Sequence, residues 1–231
     1  MESRVQPDPV RAARIRKTTA HRMQQSKRDV PHLYLDVDVD MSAVQNLREH
    51  LQTGLSWPKP PSATAIIVHV VTRLLVERPE LNVTYADTGP TSRDGVSIGV
   101  AIDTLAGLVV PVLPGADDRS LQEIAVWLRD AAERAREFSL KWDDLGPKTL
   151  VVYDVAPLGI DRCHAIIDPP DPMILAVGRI ADRVLVENGR PKVSPTATLS
   201  LSLDHRVLDA SAGARFLTEL RDRLESIVAL E

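Results

Sequence analysis

His205 and Asp209 stand four residues apart in LSLSLDHRVLDASAG, residues 199–213 of a 231-residue chain, and their types and spacing point to proton transfer. Imidazole is the side chain that ordinarily titrates near neutral pH, which makes a positioned histidine the usual general base. Upstream, Thr198, Ser200 and Ser202 alternate with Leu199, Leu201 and Leu203, the period-two pattern of a strand with one apolar face. Downstream, Phe216, Leu217, Leu220, Leu224 and Ile227 recur at helical spacing, so Asp209 is placed to cap a helix. A strand would therefore deliver His205 to a turn before a helix. Spacing alone leaves open a surface histidine with no chemistry.

The motif Asp204-His205-Arg206 followed by Asp209 resembles the DHRxxDG signature of the catalytic domain of 2-oxoacid dehydrogenase acyltransferases, the E2 components, related in fold to chloramphenicol acetyltransferase. The last glycine of that signature is Ala210 here. Three more segments resemble the family: IRKTTAHRMQQSKRDVPH near the start, the hairpin GVAIDTLAGLVVPVL after Asn82, and AIIDPPDPMILAVG, 165–178. The resemblance implies an α/β (α+β) two-layer sandwich with a mostly antiparallel sheet covered by helices, and an active site at a trimer interface.

The elements that must position the motif read in order as follows. Residues 1–10, with two prolines, read as an extended arm, and 11–231 as one catalytic domain without a linker. A helix is expected from Val10 to about Lys27, ending before Pro31. His32 to Met41 reads as a strand whose Asp36, Asp38 and Asp40 share one face. Carboxylates in a row can suggest a metal, but on a strand they are expected to point to solvent together, and no metal is expected. Helices follow at Ser42–Leu51 and from Ser62 to Pro79; the second is apolar all round, with His69 expected to be a satisfied core histidine. The strands 96–103 and 108–113 suggest a hairpin, and a long amphipathic helix opens at an Asp or Ser cap before Leu121.

Composition bounds the rest. A net charge of -4 gives no reason to expect nucleic acid or an anionic membrane as partner. One cysteine, Cys163, excludes an internal disulfide framework and fits a reducing compartment. No apolar run reaches the roughly 18 residues of a membrane span, and MESRVQPDPVR has no apolar signal core, so a cytoplasmic protein is expected.

The resemblance also assigns roles. His205 would deprotonate the acceptor and return the proton to the thiolate of coenzyme A; Arg16 would pair with Asp209 to fix the histidine loop. The alternative for Arg16 is a solvated helix face shared with Arg14, Lys17 and Arg22. Ser202 and the segment around Pro169 and Pro170 are carried over as contacts of the CoA. Where the family places a serine that donates to the tetrahedral oxyanion, this chain has Tyr153, followed by Asp154. A phenol can donate too, or Tyr153 reshapes the pocket, or it fills space. The family's assemblies imply a homotrimer or an assembly of trimers, with His205 of one copy facing Tyr153 of its neighbour.

No lipoyl domain or subunit-binding domain is recognisable in the 231 residues, so either the chain is a truncated piece or the protein uses no tethered lipoyl arm; Met1 mildly favours the latter. On that footing the first expectation is transfer of an acetyl group from acetyl-CoA to a hydroxyl of a small-molecule or carrier-derived acceptor, specifically O-acetylation of a hydroxymethyl tetronate, by resemblance to stand-alone E2-like enzymes. The alternatives are an E2 core exchanging acyl groups between dihydrolipoamide and CoA, and a non-catalytic scaffold.

Overall fold

The strand predicted to deliver His205 runs from Arg190 to Asp204, the tenth in the chain (β10), and it forms the spine of the molecule. The computed structural model describes residues 9–54, 59–86 and 88–228. Alternate residues of β10 settle the layers: Leu199, Leu201 and Leu203 are fully buried against helices, while Thr198, Ser200 and Ser202 face the other side of the sheet. Burying each leucine contributes about 1.5–3 kcal/mol, so the alternation alone fixes the register of this strand.

Beside β10 lie β1 (His32–Asp40) and β8 (Met173–Val177), both antiparallel to it. The sheet continues through β7 (Leu150–Asp154) and β4 (Ile98–Thr104) to β5 (Gly107–Val109). β7 is parallel to both β8 and β4, and every other pairing in the sheet is antiparallel. MILAV in β8 is buried at every position, as a strand covered on both faces must be. Pro111 has no N–H for the ladder, so the second strand expected at 108–113 is split into β5 and β6 (Val112–Leu113). The first half of β10 pairs with β9 (Ala181–Glu187) as a hairpin, and β2 (Val83–Ala86) with β3 (Gly89–Ser92) forms a separate two-stranded sheet.

The helices α2 (Ser42–Gly54), α3 (Ala63–Glu77), α4 (Leu121–Arg136) and α5 (Ala210–Glu225) contribute to one continuous apolar core with the leucine face of β10. Ser62 caps α3 and Ser120 caps α4, the latter in a reciprocal capping box with Glu123. Gly213 lets α5 seat on the sheet, since a Cβ there would fall 2.3 Å from Leu203 Cδ2. The first helix, α1, runs Pro9–Asp29, so residues 9 and 10, expected in the arm, are helical, because proline is tolerated in a helix's first turn. Residues 1–8 lie outside the described residues.

Two expectations about single residues are corrected. His69 is buried, as expected, but it is not satisfied: its Nδ1 has no hydrogen-bond partner. Burial, reinforced by the charge of Arg73, pulls its pKa down to about 4. Asp36, Asp38 and Asp40 share a face but do not simply point to solvent, because a segment around His164, 128 residues from Asp36, crosses over them. His164 Nε2 lies 3.0 Å from both carboxylate oxygens of Asp36. Arg162 and Arg183 approach Asp36 and Asp38 at 3.6–3.9 Å, and Ser194 and Lys192 take Asp40. The carboxylates are held by cations and hydroxyls of the chain itself. Among the described residues no group of three or more His, Cys, Asp or Glu is arranged to hold a metal, and no helix is long and apolar enough to cross a membrane.

Candidate active site

His205 occupies the turn directly after β10 and is exposed. Its backbone N–H donates to Pro31 O at 3.0 Å, which ties the turn to the chain entering β1. The turn is closed from beneath by Asp204, which is buried at 2% exposure. Its carboxylate accepts from Arg206 N at 3.0 Å, Arg206 Nε at 3.0 Å and Arg206 Nη2 at 2.7 Å. Charged groups in this forked geometry make stronger hydrogen bonds than neutral ones, so the residues on both sides of His205 are immobilised while the imidazole is left free.

Asp209 caps α5 as expected. Its Oδ1 accepts from Ala212 N at 2.7 Å and from Ser211 Oγ at 2.8 Å. The Ala212 N–H, then the Ser211 hydroxyl, hold its carboxyl below the usual carboxylate range. Arg16 lies exposed on α1, and no hydrogen bond or ion pair joins it to Asp209 within the chain. The expected Arg16–Asp209 pair is therefore not formed inside one copy: the carboxylate oxygen is engaged by its own helix instead.

Tyr153 sits on β7, half-buried, and its hydroxyl donates to Asp103 Oδ2 at 3.4 Å. Burial raises its pKa, with the charge of Asp103 and the neighbouring Cys163 adding to this, so the phenol keeps its proton. Tyr153 is level with Ala176 on β8 and thereby with Ser200 on β10. His205 is five residues further along and two strands across, which puts the two roughly 20 Å apart in one chain. They are not brought together within a copy.

Ser202 is fully buried, with an Oγ that has no partner, and it offers no surface to an external ligand in the single chain. Pro169 and Pro170, joined by a cis peptide, lie beside the histidine turn, since Asp204 N donates to Pro172 O at 2.9 Å. Their carbonyls are engaged: Arg22 Nη2 donates to Pro169 O at 3.4 Å and Thr84 Oγ1 to Pro170 O at 2.8 Å.

Other residues around the turn take their places from the fold. His32 faces Asp204 across the ladder; its Nδ1 lies 2.9 Å from Val30 O and its Nε2 accepts the Ile167 N–H at 3.1 Å. That pairing requires the proton on Nδ1, and burial lowers the pKa of the ring accordingly. Arg206 lies over the ring of Tyr85 at 4.0 Å. Lys148 and Asp171 form a nearly enclosed ion pair at 2.6 Å. Arg206 belongs to the Asp-His-Arg motif, and His32 and Asp171 lie in segments that resemble the family, whereas Tyr85 and Lys148 had no sequence signal.

Compared with known proteins, residues 6–231 match the family model of the 2-oxoacid dehydrogenases acyltransferase (catalytic domain). The dihydrolipoyllysine-residue acetyltransferase component of the pyruvate dehydrogenase complex of Rhizobium meliloti is 31% identical over 217 residues, covering 92% of this chain and 48% of that protein. The chain spans about half the length of the curated relatives it matches. A structure of dihydrolipoamide acetyltransferase from Azotobacter vinelandii, studied for a serine, a histidine and an asparagine in its catalytic mechanism, superposes with a TM-score of 0.86 at 26% identity, covering 97% of this chain and 92% of that one. The cubic core of a pyruvate dehydrogenase multienzyme complex superposes equally, at 25% identity and with the same coverage. A chloramphenicol acetyltransferase, at 13% identity and a TM-score of 0.54, shares the fold.

Proposed function

The chain belongs to the family of 2-oxoacid dehydrogenase acyltransferase catalytic domains, and from that premise we propose that it moves an acyl group between coenzyme A and a dihydrolipoyl thiol, with His205 as the proton carrier. The observation that carries the reading is the exposed imidazole on a rigid turn, followed four residues later by a polar helix cap. In the Azotobacter protein the serine precedes the histidine by 52 residues and the asparagine follows it by four; here those spacings fall on Tyr153 and Asp209 around His205.

In the reaction, the acceptor S–H gives its proton to the neutral imidazole as its sulfur attacks the thioester carbonyl. The tetrahedral oxyanion is stabilised by a hydrogen-bond donor, a role that falls to the protonated Tyr153 phenol. Collapse breaks the bond to the CoA sulfur, and the thiolate takes the proton back from His205. Asp209 contributes by fixing the start of α5 and with it the end of the histidine loop. Because Tyr153 and His205 of one copy are too far apart to act on one carbonyl, the site is assembled between copies, as in a trimer or a cage of trimers.

The preference thus passes from an alcohol to a thiol acceptor, since the matched relatives are acetyltransferase components of pyruvate dehydrogenase. O-acetylation of a hydroxymethyl tetronate stays as a second reading on one observation, the phenol at position 153 in place of the family's serine. The test is to mix acetyl-CoA separately with dihydrolipoamide and with a hydroxymethyl tetronate and follow CoA release. Release with dihydrolipoamide that is lost in His205→Ala supports the thiol reading; release with the tetronate alone overturns it in favour of the second.

A further inference from the structure

Arg206 has two partners of different kinds. Asp204 accepts three hydrogen bonds from the Arg206 guanidinium and one from its backbone N–H, and Tyr85 covers the guanidinium face at 4.0 Å from the ring centroid. Asp204 is buried at 2% exposure, while the Arg206 side chain reaches the surface. Tyr85 belongs to β2, in the small two-stranded sheet that is separate from the main one. The neighbouring Thr84 hydroxyl donates to Pro170 O, and the same loop's Pro172 O accepts the N–H of Asp204. A closed circuit results: β2, the proline loop, the end of β10, Arg206, and back to β2 through the ring.

We infer that Tyr85 is a positioning residue for His205, acting through Arg206. It clamps the guanidinium from the side that Asp204 leaves free, so the turn between them holds one backbone arrangement and presents the imidazole in one direction. The contact is made by the aromatic face, so the phenol oxygen is dispensable. The inference rests on His205 being the proton carrier of the proposed reaction, and its test separates the two.

In the full chain in its own assembly, Tyr85→Leu is expected to lower kcat with acetyl-CoA and dihydrolipoamide about ten-fold while leaving KM for acetyl-CoA within about two-fold. The second readout needs no turnover: the rate at which diethyl pyrocarbonate modifies His205, followed by peptide mapping across pH 5.5–8, should change at least about two-fold in Tyr85→Leu and match the parent in Tyr85→Phe. Tyr85→Gln serves if the leucine variant does not fold. The inference is overturned if Tyr85→Leu leaves kcat and the modification profile unchanged, or if Tyr85→Phe is impaired as much as Tyr85→Leu. If the parent chain turns over neither acceptor, the proposed reaction fails while the His205 modification profile still decides the role of Tyr85.

Discussion

Tyr153, on β7, and His205, in the turn after β10, stand roughly 20 Å apart in a single chain, separated by two strands and five residue levels. A proton carrier and an oxyanion donor must both come within hydrogen-bond reach of the same reacting group. The pair can serve one thioester only if different copies supply them. Mixed assemblies test this directly. When His205→Ala and Tyr153→Phe chains are dissociated together in equal amounts and reassembled, about a quarter of the interfaces should combine an intact histidine with an intact tyrosine, and activity should return to about a quarter of the parent's. Recovery no greater than the sum of the two variants alone would mean that the site is not shared.

In the proposed reaction the phenol of Tyr153 takes the place of the family's oxyanion serine. Burial, with Asp103 and Cys163 beside it, keeps the proton on its oxygen above the ordinary range for tyrosine, so it remains a donor at working pH. Removing one oxyanion donor typically costs about 100-fold to 1,000-fold. Tyr153→Phe is therefore expected to lower kcat about 100-fold with little change in KM, and Tyr153→Ser to keep part of the lost rate. Steady-state kinetics with acetyl-CoA checks it; a phenylalanine variant at parental kcat would reduce Tyr153 to a space-filling residue.

His69 makes stability depend on pH in a predictable direction. Its folded pKa, about 4, lies below the ordinary 6.5, so the unfolded chain takes up the proton first. The neutral ring's contribution is fully present above pH 6.5 and is lost as pH falls from there toward 4. At 1.36 kcal/mol per unit, the loss over the whole window is about 3 kcal/mol. Urea denaturation at pH 7 and pH 5 should show a smaller drop for His69→Leu than for the parent; equal drops would mean that the ring is not held neutral in the folded state.

How far the site could be read from the sequence follows from the range of the interactions. The capping role of Asp209 and the leucine face of β10 are set by neighbours within a few residues, and both were legible. The hairpin after Asn82 was legible except at Pro111, which interrupts the ladder. The contacts over Asp36 and Asp38 were not, since their partners Arg162, His164 and Arg183 come from more than 120 residues away. The same holds for Arg206 on Tyr85, and for Arg16, whose expected partner Asp209 is occupied by its own helix. A motif names the residues at a turn; only the fold brings in what holds the turn still.

Lys148 and Asp171 show the cost of such a non-local contact. The ammonium lies 2.6 Å from the carboxylate, with side-chain exposures of 12% and 4%. The lysine stem packs on Gly99, where a Cβ would come within 2.4 Å of Lys148 Cδ. Burial raises the pKa of Asp171, working against the opposing pull of Lys148, so the carboxylate depends on that one cation. Removing one partner of a buried pair typically costs about 3–5 kcal/mol, whereas replacing both with apolar groups is often neutral. Lys148→Met should therefore destabilise the chain by about that amount, and adding Asp171→Leu should recover most of it. The loop carrying Asp171 also supplies Pro172 O to Asp204, so the single variant should loosen the histidine turn as well and lower kcat together with Tm. Denaturation of the single and double variants decides the first point: if the double variant is no more stable than Lys148→Met, the ion pair is not the source of the loss.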